Sequence, residues 1–507
     1  MQENKVLPGL ENLIMVTPEL KSFKSKVGGL GDVAEELSKA LADLGIKVTI
    51  VSILYKKGRK EVEENGKIVI KTFDLDYSDL PIEDTGKEVE VEVAGEKIVA
   101  KIKKSKIGNA DIIFLENGKY GELVYGGDLL RQAIFIGRGT LEALKIMGIK
   151  PTIIHMHDGL TGLVTFLRTD ERYSKDPFLN KAKLVFTVHN AGYAYQQIFD
   201  SNRFDELGID RIHWDGIVWD GKINLTYTAL FHSQKCNTVS RDYANALRSD
   251  GEGLGPMFRK KDIIGIVNGI DLEYWKLKRD KREAKLDLIK TMKKYGANLN
   301  PNKFTIVVPR RISYQKGWNV VLKILREIVR ERNEGGLGAQ FILLGRAHES
   351  DPLGQEWVKE FKRLTKELKN KFVFINTFDQ SLAKLMYEGG DLLLYPSLPD
   401  KEPCGTGYMI AMVNMTPTVG TDTGGLAEII EEFDPETLKG NGFKVPKKEY
   451  SPEAFYAKIS KAMEIFLFYP QKWKKLMENC LNTDVGMEKV AKEYVYRIYK
   501  PVVETEI

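Results

Sequence analysis

Short, uninterrupted apolar runs alternating with helix-patterned runs recur along this chain, and that recurrence restricts its fold more than any other feature. A strand buried on both faces shows no polar side, so it reads as continuous Val, Ile and Leu. Such strands belong to parallel sheets joined through helices. Leu13-Ile-Met-Val-Thr17 leads through a loop into a helix-patterned run with Leu37, Leu41 and Leu44 on one face, stopped by Gly45. The next apolar run is 48–54, and Asp32 with Glu35 has the spacing of a capping box at the helix start. A second series opens at 304–308 and continues at 340–344, 372–375, 392–395 and 416–419, with helical runs between. The expectation is an α/β chain with two doubly wound parallel sheets.

At 507 residues the chain is too long for one core, which makes two large domains the default. The polar, Lys-rich segment 276–303 separates the two series and marks the expected junction. The domains are then 1–275 and 276–485, with the last helical run, in 486–507, returning to the first domain. Glu88-Val-Glu-Val-Glu-Val-Ala94 and Lys97-Ile-Val-Ala-Lys-Ile-Lys103 alternate polar and apolar about Gly95, the pattern of an antiparallel hairpin. It is expected to lie in an insertion over 67–116, followed by a helix over 128–149.

Charge excludes some functions. With 76 basic and 71 acidic residues the net charge is only +5, and the basic residues form no long run, so neither nucleic acid nor a membrane surface is an expected partner. No stretch approaches the ~18 apolar residues of a membrane span, and the opening Met1-Gln-Glu-Asn-Lys5 has no apolar signal core. The three cysteines, Cys236, Cys404 and Cys480, are far apart and not in metal-ligand spacing. They read as reduced thiols of a cytoplasmic protein.

Candidate chemistry gathers at strand ends. Arg311-Ile-Ser-Tyr-Gln-Lys316-Gly317 lies between an apolar run and a helix-patterned run, so backbone N–H groups and two cations meet there. Arg supplies a planar fork and Lys a point charge, which reads either as a diphosphate clamp or as a solvated helix entry. Lys26-Val-Gly28-Gly29-Leu-Gly31-Asp32 is either a phosphate-approaching loop or a plain tight turn. His155-Met-His157-Asp158 ends a buried strand, with both imidazoles on one face. The set suits a metal, with His189 converging, or hydrogen bonding in a core or to a sugar. Tyr193, Tyr195, Phe199, Trp214, Trp219 and Tyr227, interleaved with Asp and Asn, suit sugar rings or a core. Glu402 follows a Pro-rich loop, and Thr423-Gly424-Gly425 follows the next strand.

Taken in order, Lys26-Val-Gly-Gly-Leu-Gly-Asp32, His155-Met-His-Asp158, Thr187-Val-His-Asn190, Asn268-Gly-Ile-Asp271, Arg311 to Gly317, Glu402-Pro-Cys-Gly405 and Thr423-Gly-Gly-Leu426 give a pattern over 13–499. In these motifs the chain resembles the glycogen and starch synthases of the bacterial and plant type. These are retaining glucosyltransferases with two Rossmann-like domains facing across a cleft. The resemblance implies transfer of glucose from ADP-glucose or UDP-glucose to the non-reducing end of an α-1,4-glucan, with no cofactor and no metal. It implies that Arg311 and Lys316 hold the diphosphate and ease its departure. Lys26 and the backbone at Gly28 and Gly29 would touch the phosphates from the other side. Thr423 and Gly424 would add donors, Glu402 would bind the transferred glucose, and Cys404 and Gly405 would follow it in the donor site. Asp32 and Asn268 would line the same site, Asp32 within the catalytic set, and His157 would contact the sugar. Leaving-group phosphate would take the acceptor proton on the same face.

The chain departs from the family where Thr406-Gly407-Tyr408 follows Glu-Pro-Cys-Gly, and at Phe378, where many members carry Tyr. Other readings are a sucrose or trehalose phosphate synthase, a pyridoxal phosphate-dependent phosphorylase, and a non-catalytic sugar or nucleotide binder. The first lacks an extra Arg cluster in the first half for an acceptor phosphate. No Gly-x-Gly-x-x-Gly opens either half, against a dinucleotide dehydrogenase. Donor preference and oligomeric state stay open.

Overall fold

The structure, a computed structural model, describes residues 6–64 and 67–505, so the opening 1–5, read above for a signal core, lie outside it. The chain forms two compact units, Met1–Ile266 with Met487–Ile507, and Val267–Gly486. Among the described residues no helix is long and apolar enough to cross a membrane.

In the first unit the strands are β1 (Leu13–Val16), β2 (Val48–Ile53), β3 (Lys57–Glu64), β4 (Lys67–Asp74), β5 (Glu83–Val93), β6 (Glu96–Ile107), β7 (Ala110–Glu116), β8 (Ile153–His157), β9 (Lys183–Val188), β10 (Ile198–Asp200), β11 (Val218–Trp219), β12 (Lys222–Asn224), β13 (Lys235–Thr238) and β14 (Ile264–Gly265). The main sheet runs β14-β13-β9-β8-β1-β2-β7-β6-β5. It is parallel from β14 to β7, with Leu13 opposite both Val48 and Ile153. Successive residues of β1 feed opposite layers: Leu13 and Met15 enter the core shared with Leu37, Leu41, Val490 and Tyr494, whereas Ile14 and Val16 enter that of Ile134 and Leu163. This two-sided burial is why β1 reads as unbroken apolar sequence. Each fully buried aliphatic side chain contributes roughly 1.5–3 kcal/mol.

Two expectations need correction here. Residues 110–116 are not part of an insertion. Ile112 and Phe114 face one layer and Ile113 and Leu115 the other, so β7 is a core strand, parallel to β2 with Thr49 opposite Asp111. The excursion comprises the β3–β4 ribbon and the β5–β6 hairpin, which extends the main sheet antiparallel through a turn with positive φ at Ala94 and Gly95. Nor does the capping box form. The helix is Leu30–Asp43 with Gly29 at its N-cap, Asp32 stands in its first turn, and Glu35 instead accepts from the Ser22 amide and hydroxyl.

The second unit carries β15 (Thr305–Pro309), β16 (Gln340–Leu344), β17 (Phe372–Ile375), β18 (Leu392–Tyr395), β19 (Thr418–Thr421) and β20 (Phe443–Val445), all parallel, in the order β17-β16-β15-β18-β19-β20. Renumbered from β15 this is 3-2-1-4-5-6, the Rossmann order, whose switch point lies between β15 and β18. In the first unit the corresponding reversal lies between β1 and β8. Ligands of open α/β sheets bind where strand order reverses, so each unit has one place prepared for chemistry.

The chain divides at Val267 rather than at 276. The Ile270 amide donates to the Val485 carbonyl at 3.0 Å and Asp271 caps the Leu272–Trp275 helix, whose last residue accepts from Asn414 Nδ2. Asn268 therefore belongs to the second unit. The Lys-rich segment is no linker: Lys281–Met292 is a helix capped by Asp280, burying Ala284, Leu288, Ile289 and Met292. Lys285 of this helix pairs with Asp391 at 2.6 Å and Lys281 reaches inward to Thr416 and the Asn414 carbonyl.

Candidate functional site

In the second unit β15 ends at Pro309, and Arg310 and Arg311 leave it on opposite sides. Arg311 is exposed, and its guanidinium makes no hydrogen bond or ion pair among the described residues. Arg310 turns inward, its side chain only 7% exposed, and lies 3.6 Å over the Tyr395 ring. From the neighbouring end of β18, Ser397 and the following loop bring Glu402 to the same spot. One oxygen of Glu402, Oε2, accepts from Lys316 Nζ at 2.5 Å, Arg310 Nη2 at 2.7 Å and Ser397 Oγ at 3.0 Å. The other, Oε1, accepts no hydrogen bond among the described residues. Burial alone would raise the Glu402 carboxyl, but the Lys316 and Arg310 cations prevail and hold it at about 2. Burial pushes the Lys316 ammonium down to about 8, with Arg310 and Arg311 adding to the fall and Glu402 opposing it.

Two glycines make this approach possible. Gly317, at φ +76, would place a Cβ 1.7 Å from the Pro396 carbonyl, and Gly424, at φ +58, would place one 2.3 Å from the Glu402 carbonyl. Thr423 Oγ1 accepts the Asp400 amide at 3.0 Å, which ties the Glu402 loop to the Gly424–Ile429 helix. The Cys404 thiol is buried against the Tyr408 hydroxyl, and Gly405 follows it at φ +71. Asn268 is buried, and its Oδ1 lacks a hydrogen-bond partner among the described residues.

In the first unit His157 ends β8 at the switch point. His155 and His157 stack with ring centroids 4.3 Å apart, as residues two apart on a strand must. Burial keeps all three imidazoles neutral, holding His155 and His189 at about 3 and His157 well below the ordinary range. Both His155 nitrogens are spent, Nδ1 on the Tyr499 hydroxyl at 2.8 Å and Nε2 on Thr187 Oγ1 at 2.7 Å. That removes His155 as a metal ligand. Among the described residues no group of three or more His, Cys, Asp or Glu side chains is arranged to hold a metal. His157 Nδ1 lies 2.9 Å from His189 Nε2, while its own Nε2 is buried without a partner among the described residues. Asp158, at φ +59, accepts the His189 amide at 2.7 Å, and burial lifts its carboxyl to about 7.

The loop after β1 differs from expectation. Glu19 Oε2 accepts the amides of both Val27 and Gly28 at 2.8 Å, and its Oε1 accepts from the Tyr125 hydroxyl at 2.7 Å. The Gly28 amide is thus taken by a carboxylate and is not offered to a phosphate, whereas space beside Gly29 is open. Asp32 pairs with Lys26 and, at 3.6 Å, with Lys21. Of the aromatic tract, Tyr227 is core and Trp219 lies tilted against it with ring centroids 4.9 Å apart, while Tyr193 and Tyr195 stay exposed.

Sequence reasoning missed Arg310, Ser397 and Glu19. The doubled arginine at a strand end carried a signal, because consecutive residues there face opposite ways. For Glu19 no spacing pointed to its amide partners.

This structure aligns with the catalytic domain of starch synthase IV from Arabidopsis thaliana bound to ADP and acarbose, with a TM-score of 0.81 and 25% identity, covering 98% of this chain and 100% of that one. Residues 290–475 match the family model for glycosyl transferases group 1. Two Rossmann-like units with polar side chains gathered at their switch points define a glycosyltransferase of the B type. Residues 12–260 match the starch synthase catalytic domain. Glycogen synthases from Thermosipho africanus and Pseudothermotoga lettingae are 32% and 30% identical, each over 96% of this chain and 98% of its relative. The chain belongs to the glycogen synthase family and is a glucosyltransferase of the glycogen and starch synthase type.

Proposed function

We propose that the enzyme transfers glucose from ADP-glucose or UDP-glucose to the non-reducing end of an α-1,4-glucan, keeping the α configuration. The observation that carries this reading is the Lys316–Glu402–Arg310 cluster at the β15/β18 switch point, which offers positive charge in a buried setting. Charge developing on a departing diphosphate is stabilised most strongly by fixed cations in such a place. Lys316 and the exposed Arg311 hold the diphosphate. Glu402 Oε1, left open, accepts from hydroxyls of the transferred glucose, and Thr423, Gly424 and Asn268 complete the polar wall. In the other unit His157 presents to the sugar a neutral nitrogen that has no partner among the described residues, Lys26 and Gly29 serve the phosphates, and Asp32 lines the site. Leaving-group phosphate takes the acceptor proton, and no metal or cofactor takes part because side-chain cations supply the positive charge. Three buried thiols suit the reducing cytoplasm.

The test is a competition assay with labelled ADP-glucose and UDP-glucose against a series of maltodextrins and glycogen. Label entering the glucan as α-1,4-linked glucose is the expected result. Incorporation from neither donor overturns the proposal.

A further inference from the structure

Arg310 is a buried cation of this cluster to which the proposed chemistry gives no contact of its own, and its surroundings do not balance its charge. Around it stand Tyr395, Ser397, Lys316 and Glu402, of which only Glu402 is anionic. Two cations therefore share one carboxylate oxygen. Arg310 Nη2 serves both Glu402 and Ser397, whereas Nη1 is buried with no hydrogen-bond partner among the described residues. A buried guanidinium with an unmatched donor is costly and is retained where a ligand supplies the missing acceptor or charge. A Lys316–Glu402 pair alone would be neutral and would hold an anion poorly.

We propose that Arg310 is a positioning residue of the donor site: it holds Oε2 of Glu402 in common with Lys316, so that one carboxylate cannot neutralise both cations, and the surplus positive charge is matched by the diphosphate of the nucleotide. This rests on the reading of Lys316 as a diphosphate ligand given above. The pinning also leaves Oε1 of Glu402 open to accept from the sugar. Arg310 acts through Glu402 and Lys316 without itself taking part in the transfer.

The test is calorimetric titration of ADP and UDP into the unaltered enzyme, Arg310→Gln and Arg310→Lys, with donor and glucan KM measured in parallel. For whichever nucleotide the unaltered enzyme binds, Arg310→Gln is expected to weaken affinity on the order of tenfold, as a unit charge acting over about 12 Å does at an effective dielectric of about 20. Donor KM rises with it, glucan KM stays unchanged, and Arg310→Lys recovers most of the affinity. A purely structural role would move both KM values and would not be rescued by charge. Should Arg310→Gln unfold, Arg310→Met, whose apolar stem still covers Tyr395, replaces it as the uncharged variant. Nucleotide affinity equal to that of the unaltered enzyme in the uncharged variant overturns the proposal. An unaltered enzyme that binds nucleotide but elongates no glucan sinks the transfer reading alone, and the affinity ratio still decides Arg310. Binding of neither nucleotide overturns both.

Discussion

The Tyr499 hydroxyl lies 2.8 Å from Nδ1 of His155, joining side chains 344 positions apart in a fully buried setting. The bond is one link of a directed chain. Thr187 donates its single hydroxyl hydrogen to Asn237 Oδ1 at 2.7 Å, so His155 Nε2 carries the hydrogen toward Thr187 and Nδ1 accepts from Tyr499. Asn237 Nδ2 then donates to the Tyr494 hydroxyl at 2.9 Å. Both phenols come from the C-terminal segment, where a π-helical turn over Val495–Tyr499 brings positions five apart to the same three strands. The segment is thereby keyed to the strand that ends in His157.

Removing the phenol oxygen should be felt in stability. Tyr499→Phe strands His155 Nδ1 in a dry interior and should cost about 1–3 kcal/mol. The denaturant midpoint measures it. A midpoint equal to that of the unaltered protein would show that the chain of bonds does not hold the segment.

Lys316→Ala and Arg311→Ala should each lower turnover by at least ~10²-fold, the scale of one lost charge-stabilising contact. Arg311 is exposed and unpaired among the described residues, so its variant should melt as the unaltered enzyme does. Near-normal rates in either variant, measured at saturating donor, contradict the diphosphate assignment.

Activity should fall on the alkaline side through about pH 8. The Lys316 ammonium is depressed to about 8, so below that pH it is charged and holds phosphate, and above it the charge is lost. Glu402, held at about 2, stays ionised throughout the working range and contributes no acid limb above pH 4. The profile of kcat/KM for the donor reports the free enzyme and is the measurement to make. A rate that stays level to pH 10 would mean that Lys316 is not the titrating group.

Transfer should persist in excess EDTA, because the positive charge at the leaving group comes from side chains. Rates with and without chelator, in one donor series, decide the point. Loss that added Mg²⁺ or Zn²⁺ restores would reopen the metal reading through His157.

Local sequence determined a good deal of this. The apolar runs of β1, β8, β15 and β18 read as strands because each is buried on both faces, and that demand leaves no room for polar interruption. The motifs of the family stood at their ends, so Lys316, Glu402 and His157 were legible as chemistry, and the hairpin at Gly95 was legible from its period of two. What only the tertiary structure decided is which groups those side chains face. Arg310 and Arg311 are neighbours in sequence with opposite fates, one buried on Glu402 and one open, because a strand end turns adjacent residues apart. The Gly28 amide was lost to Glu19, and within 276–303 Lys281 and Lys285 became inward-reaching contacts of a packed helix. Hydrogen-bond partners and charge balance are set between residues distant along the chain. Spacing along one segment carries no record of them.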